Sequence, residues 1–375
     1  MLRSRLRRGI VPWILIALLF FATPALAFTP RDAESSALAP RVAPAPAPVA
    51  PPALRSPQLS EPDPAIAAIL DLVLADDLYA IVGDLSGEWP VTIGGEPHTI
   101  LTRHSYSGEG IQKATEYVFE RLAALGLEME RQVWGEANQP NIIGQITGRT
   151  RPGEVYLICA HVDDQPEGPR APGADDNASG CAAVLVAAEI LSQFEWDVTL
   201  RFGLWTAEEQ GLFGSKAYAQ RAQSRGEDLR AVINVDMIGY DGDGIPEINV
   251  ETTAEVPGAQ ELAELLIDVV REYGLDLIPE LIVDGSLRTR SDTWSFWQSG
   301  FPAILAIEDY YGDFNTRYHT VNDLLVYLDM DYFTAYTKAA IGALAHAAGG
   351  PRPVVQPTPT EVPVVFILAL PVLVK

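Results

Sequence analysis

Cysteine is almost missing from this sequence: Cys159 and Cys181 are the only two in 375 residues. That excludes a scaffold stapled by several disulfides. One lies in an apolar run ahead of His161 and the other just behind Gly180, so two small buried thiols are the favoured expectation, with a single bridge left open. Positive charge is also short, with 26 Lys and Arg against 50 Asp and Glu and a net charge of -24. Such a balance speaks against nucleic acid or an anionic membrane surface as a partner. No internal repeat is visible. The apolar run Ile14 to Ala22, bracketed by Pro12 and Pro24, falls short of the roughly 20 residues that a helix needs to cross a bilayer.

What is present sorts into four segments. Residues 1–27 carry Arg3, Arg5, Arg7 and Arg8, then that apolar run, then Ala25-Leu26-Ala27, the pattern of a secretory signal peptide. An uncleaved anchor is the less favoured alternative, and either places the rest of the chain outside the cell. Cleavage would leave the chain four charges more negative. Residues 28–60 are a Pro/Ala-rich linker (APRVAPAPAPVAPPALRSP), a composition that extends rather than packs. Residues 350–375 are a Pro/Thr linker followed by the apolar VVFILALPVLVK, too short to span a bilayer and interrupted by Pro371. An added edge strand and a surface-retention signal are both open for that tail, and no stable membrane partner is expected. The segment 61–349 remains as one domain, and a sequence that is 48% hydrophobic over its full length can bury a large core.

Within that domain, apolar spacing at Ile66, Ile69, Leu70, Val73 and Leu74 predicts a helix over Pro64 to Leu85. A hairpin turning at Gly94-Gly95 follows, then a helix over Gly110 to Leu125 and strands at Glu128–Val133 and Asn141–Ile146. The run from Val155 into His161 reads as a buried strand. Beyond it the pattern keeps alternating: helix Ala178–Phe194, strand Thr199–Thr206, helix Ser215–Gln223, strand Ala231–Ile238, helix Ala259–Tyr273, strand Leu277–Val283, helix Asp292–Gln298, strand Pro302–Ile307, helix Asp331–Ala348. Unbroken β/α alternation predicts an α/β fold, a three-layer α/β/α sandwich with a mixed, mainly parallel central sheet and a single catalytic domain.

Chemistry gathers at the expected strand ends. His161 closes a strand and is followed two residues later by Asp163, a spacing that suits a carboxylate holding a metal-bound imidazole. Asp175-Asp176-Asn177 lies in a turn between Gly173 and Gly180. Glu208 and Glu209 leave one strand, Asp236 ends another within the apolar VINVDMIGY, and Tyr318-His319 with Asp323 falls in the last loop. Singly, these read equally well as a helix cap, a solvated loop or a structural histidine. Together they supply two histidines and three acids from five separate strand ends, with one glutamate to spare, an N/O set suited to zinc and open to cobalt or manganese. A buried carboxylate such as Asp236 also demands a cation.

The blocks AHVDD, APGADDNASG, TAEEQGLFGS, NVDMIGYD and YHTVND, in that order, resemble the secreted di-zinc aminopeptidases of the leucyl-aminopeptidase type, which have the phosphorylase/hydrolase-like zinc exopeptidase fold. The resemblance covers Arg103 to Ala348. It implies two zinc ions per chain, bridged by Asp176, with His161 and Asp236 completing one site and Glu209 and His319 the other. It implies Glu208 as general base, Asp163 as the acid bonded to His161, a cis peptide between Asp176 and Asn177, and Tyr318 as an aid to the oxyanion. One departure stands out: in SDTWSFWQSGFPA, Thr293 occupies the place where the family has histidine.

The implied reaction is hydrolysis of the amino-terminal bond of peptide substrates, the zinc ions polarising carbonyl and water while Glu208 carries the proton. A same-fold carboxypeptidase, a dipeptidase, a single-zinc glutaminyl cyclase or a non-catalytic receptor-like module are the alternatives. On this register Asp176→Ala disrupts the whole centre and Asp175→Ala is tolerated.

Overall fold

The computed structural model describes residues 59–135 and 139–352. The expected signal peptide, nearly all of the Pro/Ala linker and the apolar tail lie outside the described residues. Helix α1 (Pro64–Leu70) starts on a proline and is capped by Asp63, whose carboxylate accepts the Ala65 N–H at 2.7 Å. The single helix expected over Pro64 to Leu85 is instead two. Helix α2 (Ala75–Ser86) begins afresh, with Asp76 and Asp77 in its first turn, where the positive end of the helix dipole favours them. The hairpin of β1 (Val91–Ile93) and β2 (Glu96–His98) turns on Gly94 and Gly95, both in the left-handed region with φ of 64° and 81°.

There follow α3 (Glu109–Ala124), β3 (Glu128–Gln132), β4 (Asn141–Ile146), β5 (Arg151–His161), α4 (Gly180–Leu191), β6 (Val198–Trp205), α5 (Phe213–Arg225), β7 (Asp228–Val235), β8 (Glu247–Thr252), α6 (Ala259–Glu272), β9 (Ile278–Val283), α7 (Thr293–Gln298), β10 (Ala303–Glu308) and α8 (Met330–Ala347). Strand β8 is not anticipated by the sequence pattern. Its Glu251 breaks the apolar run, yet that side chain is fully buried and accepts the Tyr311 O–H at 2.9 Å.

The large sheet runs β3-β4-β6-β5-β7-β10-β8-β9. Its centre, β6-β5-β7-β10, is parallel, while β4 is antiparallel to β6 and β8 to β10. Alternation of side chains along each strand feeds two cores. On one face Ile158, Phe202 and Ile233 pack with Val184 of α4, Leu262 of α6 and Tyr336 of α8. On the other, Leu157, Trp205 and Val232 pack with Tyr218 of α5 and Phe296 of α7. Burial on both faces is why the central strands read as continuous apolar runs. The result is the expected three-layer α/β/α sandwich with a mixed, mainly parallel sheet. Cys159 and Cys181 are free and buried, one in each core, as favoured above.

Strand β5 has β6 on one side and β7 on the other, so the chain switches direction across the sheet at β5. In open α/β sheets a crevice opens outside the carboxyl ends of the strands at such a point. Four of the sheet's parallel strands end there.

Candidate metal centre

His161 is the last residue of β5 and Asp236 the first after β7, so parallel pairing alone brings them side by side. Glu208 and Glu209 follow β6 after a two-residue turn, His319 lies between β10 and α8, and Asp176 sits at a non-helical kink within Ala174–Ser179 ahead of α4. Asp176 Oδ1 is 3.2 Å from His161 Nε2, and its Oδ2 is 3.2 Å from His319 Nε2. His161 Nε2 is also 3.2 Å from Asp236 Oδ1, and His319 Nε2 is 2.8 Å from Glu209 Oε2. Two clusters result: His161 and Asp236 with Glu208 beside them, and Glu209 with His319 and Asp176. All five expected ligands and Glu208 therefore meet at one place.

Residues that bind nothing hold this place in shape. Asp323 accepts the N–H groups of Asp175 and Asp176 at 3.0 to 3.1 Å, fixing the turn that aims Asp176. Asn177 donates to the Val235 carbonyl at 3.0 Å and so ties the same turn to the end of β7, and the Asp176–Asn177 peptide is cis, as the resemblance implied. Behind Asp236, Ser291 donates to Oδ2 at 2.6 Å and in turn accepts from the Asn234 amide at 2.7 Å. Three of the five non-glycine residues with positive φ lie at the centre: Ala207 before Glu208, Met237 after Asp236, and His319 itself. Strained backbone of this kind gathers where side chains must be aimed. Arg103, fully buried, donates to the carbonyls of Leu85, Val162, Pro172 and Gly173 and lies 3.4 Å from Asp164, clamping the end of β5 to the loop that leads into Asp176.

Asp163 departs from expectation. His161 Nδ1 bonds the main-chain carbonyl of Asp163 at 3.0 Å, while the nearer carboxylate oxygen stands 3.9 Å away. That carboxylate is engaged elsewhere: it accepts from the Ser105 hydroxyl at 3.0 Å and from the N–H groups of Glu208 and Glu209 at 3.1 and 3.3 Å. Asp163 thus positions the two glutamates, and its own carbonyl fixes the imidazole so that Nε2 faces inward. Asp175 also departs. It is fully buried, accepts the Gly239 N–H at 2.9 Å and the Asn315 amide at 3.0 Å, and is structural rather than expendable.

The donor set fits a pair of divalent cations. Among the described residues no lysine or arginine forms an ion pair with Asp176, Asp236, Glu208 or Glu209, so the histidines carry the compensating charge. Burial disfavours a charged His161, but Asp236 and Glu208 outweigh it and raise its pKa well above the usual range. His319 is likewise driven up to about 9 by Asp176 and Glu209 against the effect of burial. Burial and Asp176 push Glu209 up to about 8, whereas the two histidines overcome burial and hold Asp176 below the usual carboxylate range. His319 Nε2 and Glu209 Oε1 are buried yet make no well-directed hydrogen bond. Atoms that approach closely without hydrogen-bond geometry are aimed at a shared point between them, as N/O zinc ligands are.

Beside the ligands opens a recess floored by Met237, Leu287, Leu305 and Ile307 and bordered by Tyr310, Phe314 and Tyr318. Tyr318 stacks on His319 at 3.5 Å between ring centres, and burial with the surrounding carboxylates keeps its phenol protonated. Asp292 is fully buried with neither carboxylate oxygen hydrogen-bonded, and the Thr293 hydroxyl beside it is also unpaired. Sequence reasoning assigns no role to Ser291, Asn234, Ser105, Arg103 or Arg290, and leaves Asp323 and Asn177 without one. Arg290 apart, these residues make contacts that cross tens of positions in the chain, and no local spacing encodes them.

Residues 141–344 match the family model described as peptidase family M28. A probable leucine aminopeptidase of Arthroderma otae is 32% identical over 262 residues, covering 66% of this chain and 68% of that protein; for two further relatives the latter share is 64% and 55%. A probable zinc metalloprotease of Pyrenophora tritici-repentis is 27% identical over 78% of this chain and 71% of its own length. The solved LapA aminopeptidase of Legionella pneumophila shares the fold, with a TM-score of 0.64 at 21% identity over 76% of this chain and 74% of that one. Since the family model spans more than half of the sequence and the Arthroderma relative is aligned over two thirds of its length, this chain belongs to peptidase family M28 and is a zinc-dependent enzyme of the aminopeptidase kind.

Proposed function

We propose that the chain is a secreted exopeptidase that removes the amino-terminal residue of peptides, with two zinc ions held by His161, Asp236 and Asp176 and by Glu209, His319 and Asp176. The observation that carries this reading is Asp176, whose two carboxylate oxygens face two different histidines at 3.2 Å each, the disposition of a bridging ligand. Bound zinc would supply Lewis-acid polarisation of the scissile carbonyl and of water. Glu208 serves as general base: it is 7% exposed, and burial together with Asp292, Asp236 and Glu209 lifts its pKa well above the ordinary value despite His161. A carboxylate lifted in this way can take the proton of the attacking water and return it to the leaving amine. Asp163 holds the Glu208 main chain in place for that transfer. Tyr318 offers a protonated hydroxyl at the rim of the recess toward the developing oxyanion. The apolar floor suits a leucine-like first side chain, each buried methylene contributing about 0.8 kcal/mol.

Two zinc ions per chain are expected by metal analysis of purified protein; a single ion returns the reading to the one-zinc cyclase branch. A chelator and Glu208→Gln are each expected to abolish hydrolysis of leucine arylamide, the second without loss of metal. An active Glu208→Gln enzyme overturns the mechanism. Export rests on the basic start, the apolar run and Ala25-Leu26-Ala27. Protein recovered from the medium should begin at Phe28, and an intact Met1 to Ala27 on extracellular protein refutes cleavage there.

A further inference from the structure

We propose that Arg290 is a substrate-binding residue that grips a carboxylate on the leaving side of the scissile bond, which makes the enzyme selective for peptides that carry one there. The proposal rests on the aminopeptidase reading above and extends it to what lies beyond the cleaved bond. Arg290 lines the same recess as the metal ligands and Glu208 and is the one lysine or arginine among the described residues that does so. Its side chain is exposed and enters no ion pair or hydrogen bond among the described residues, whereas Arg288, two positions earlier, pairs with Asp284 and Glu255 and lies 5.3 Å over the ring of Trp294. Among the described residues Arg170, Arg225 and Arg317 also lack an ion pair, but none of them lines the recess, and Arg317 lies over the ring of Tyr327.

The placement of Arg290 is tied to the centre. The next residue, Ser291, hydrogen-bonds Asp236 at 2.6 Å and Asn234 at 2.7 Å, so the backbone that carries the guanidinium is fixed to a metal ligand. Every other charged group on the recess wall is accounted for as ligand or base, which leaves this cation without a task inside the protein. The same recess is lined by the apolar Leu287 and Ile307, and the planar fork of an arginine matches a carboxylate with two parallel bonds. A carboxylate there has two sources, the free α-carboxylate of a dipeptide or an acidic side chain in the second residue, and the chemistry of recognition is common to both.

The test compares kcat and KM for Leu-Ala, Leu-Ala-amide and Leu-Asp-amide in wild type, Arg290→Met and Arg290→Lys. Arg290→Met is expected to lower the preference for Leu-Ala over Leu-Ala-amide about tenfold, through KM rather than kcat, and Arg290→Lys to recover part of it. Loss confined to Leu-Ala identifies the α-carboxylate as the ligand, and loss confined to Leu-Asp-amide the acidic side chain. Equal loss on all three substrates, or none on any, overturns the assignment while leaving the peptidase reading intact. A wild type that cleaves none of the three overturns that reading and this proposal with it.

Discussion

Replacing Asp175 by alanine is expected to weaken the fold while leaving the metal ligands untouched. The carboxylate is fully buried, with one oxygen on the Gly239 N–H and the other on the Asn315 amide. Alanine strands two buried donors, at a cost of about 1–3 kcal/mol each, so about 2–6 kcal/mol in all. Some repulsion with Asp176 and Asp323 is relieved in exchange, so this range is an upper bound on the loss. In a body of this size each kcal/mol moves the melting point by about 2 °C, which gives a fall of about 4–12 °C. The assay is thermal unfolding of chelated protein by circular dichroism, repeated with zinc in hundredfold excess over its Kd, where a ligand adds about 2.7 kcal/mol. Zinc should raise the melting point of wild type and Asp175→Ala alike and leave Asp176→Ala close to its chelated value. An Asp175→Ala protein that melts with wild type, or that loses its response to zinc as Asp176→Ala does, refutes the assignment of the two neighbours.

Two further outcomes can be measured on the same material. Ser291→Ala removes the hydroxyl that braces Asp236 and is expected to weaken zinc binding about 10–100-fold by chelator competition; unchanged affinity would show the brace to be idle. Chelated protein should lose stability as pH rises from about 4 to about 9, since burial raises Asp164 and Glu209 to about 8 and Asp292 to about 7, while carboxylate partners raise His319 to about 9 against burial. All four bind protons more tightly folded than unfolded, so their stabilisation is complete below the unfolded values and drains away through the folded ones. Asp176, held low, acts only below that window. A chelated protein with a higher melting point at pH 8 than at pH 5.5 contradicts this account.

The β/α order is legible because the central strands are buried on both faces, so that Leu157, Phe202 and Val232 sit in runs no solvent-facing residue interrupts. Strand β8 escapes for the opposite reason, since Glu251 is buried through a tyrosine contact sixty positions away. Of the expected ligands, His161, Asp236 and Glu209 are legible because each sits at or just past a strand end, a position that chain order reveals, while Asp176 and His319 lie in loops and are legible through the blocks APGADDNASG and YHTVND. What their neighbours do is not. Asp163 and Asp175 are acids beside ligands in sequence, but which main-chain N–H groups they meet depends on how loops from β6, β7 and β10 fold over the crevice. Equally, the break between α1 and α2 leaves the apolar spacing intact and so leaves no trace in it.

The supports around Asp176 and the glutamates come from groups that no metal needs to touch: Asp323 and Asp163 grasp main-chain N–H groups, and Asn177 and Arg103 grasp carbonyls. A centre framed in this way is expected to hold its shape without metal. Metal then binds a waiting receptor instead of completing an unfinished fold, in contrast to small domains that unravel when their zinc is taken away. Stripping and refilling should therefore be reversible, and one divalent ion can be exchanged for another without the chain having to fold anew.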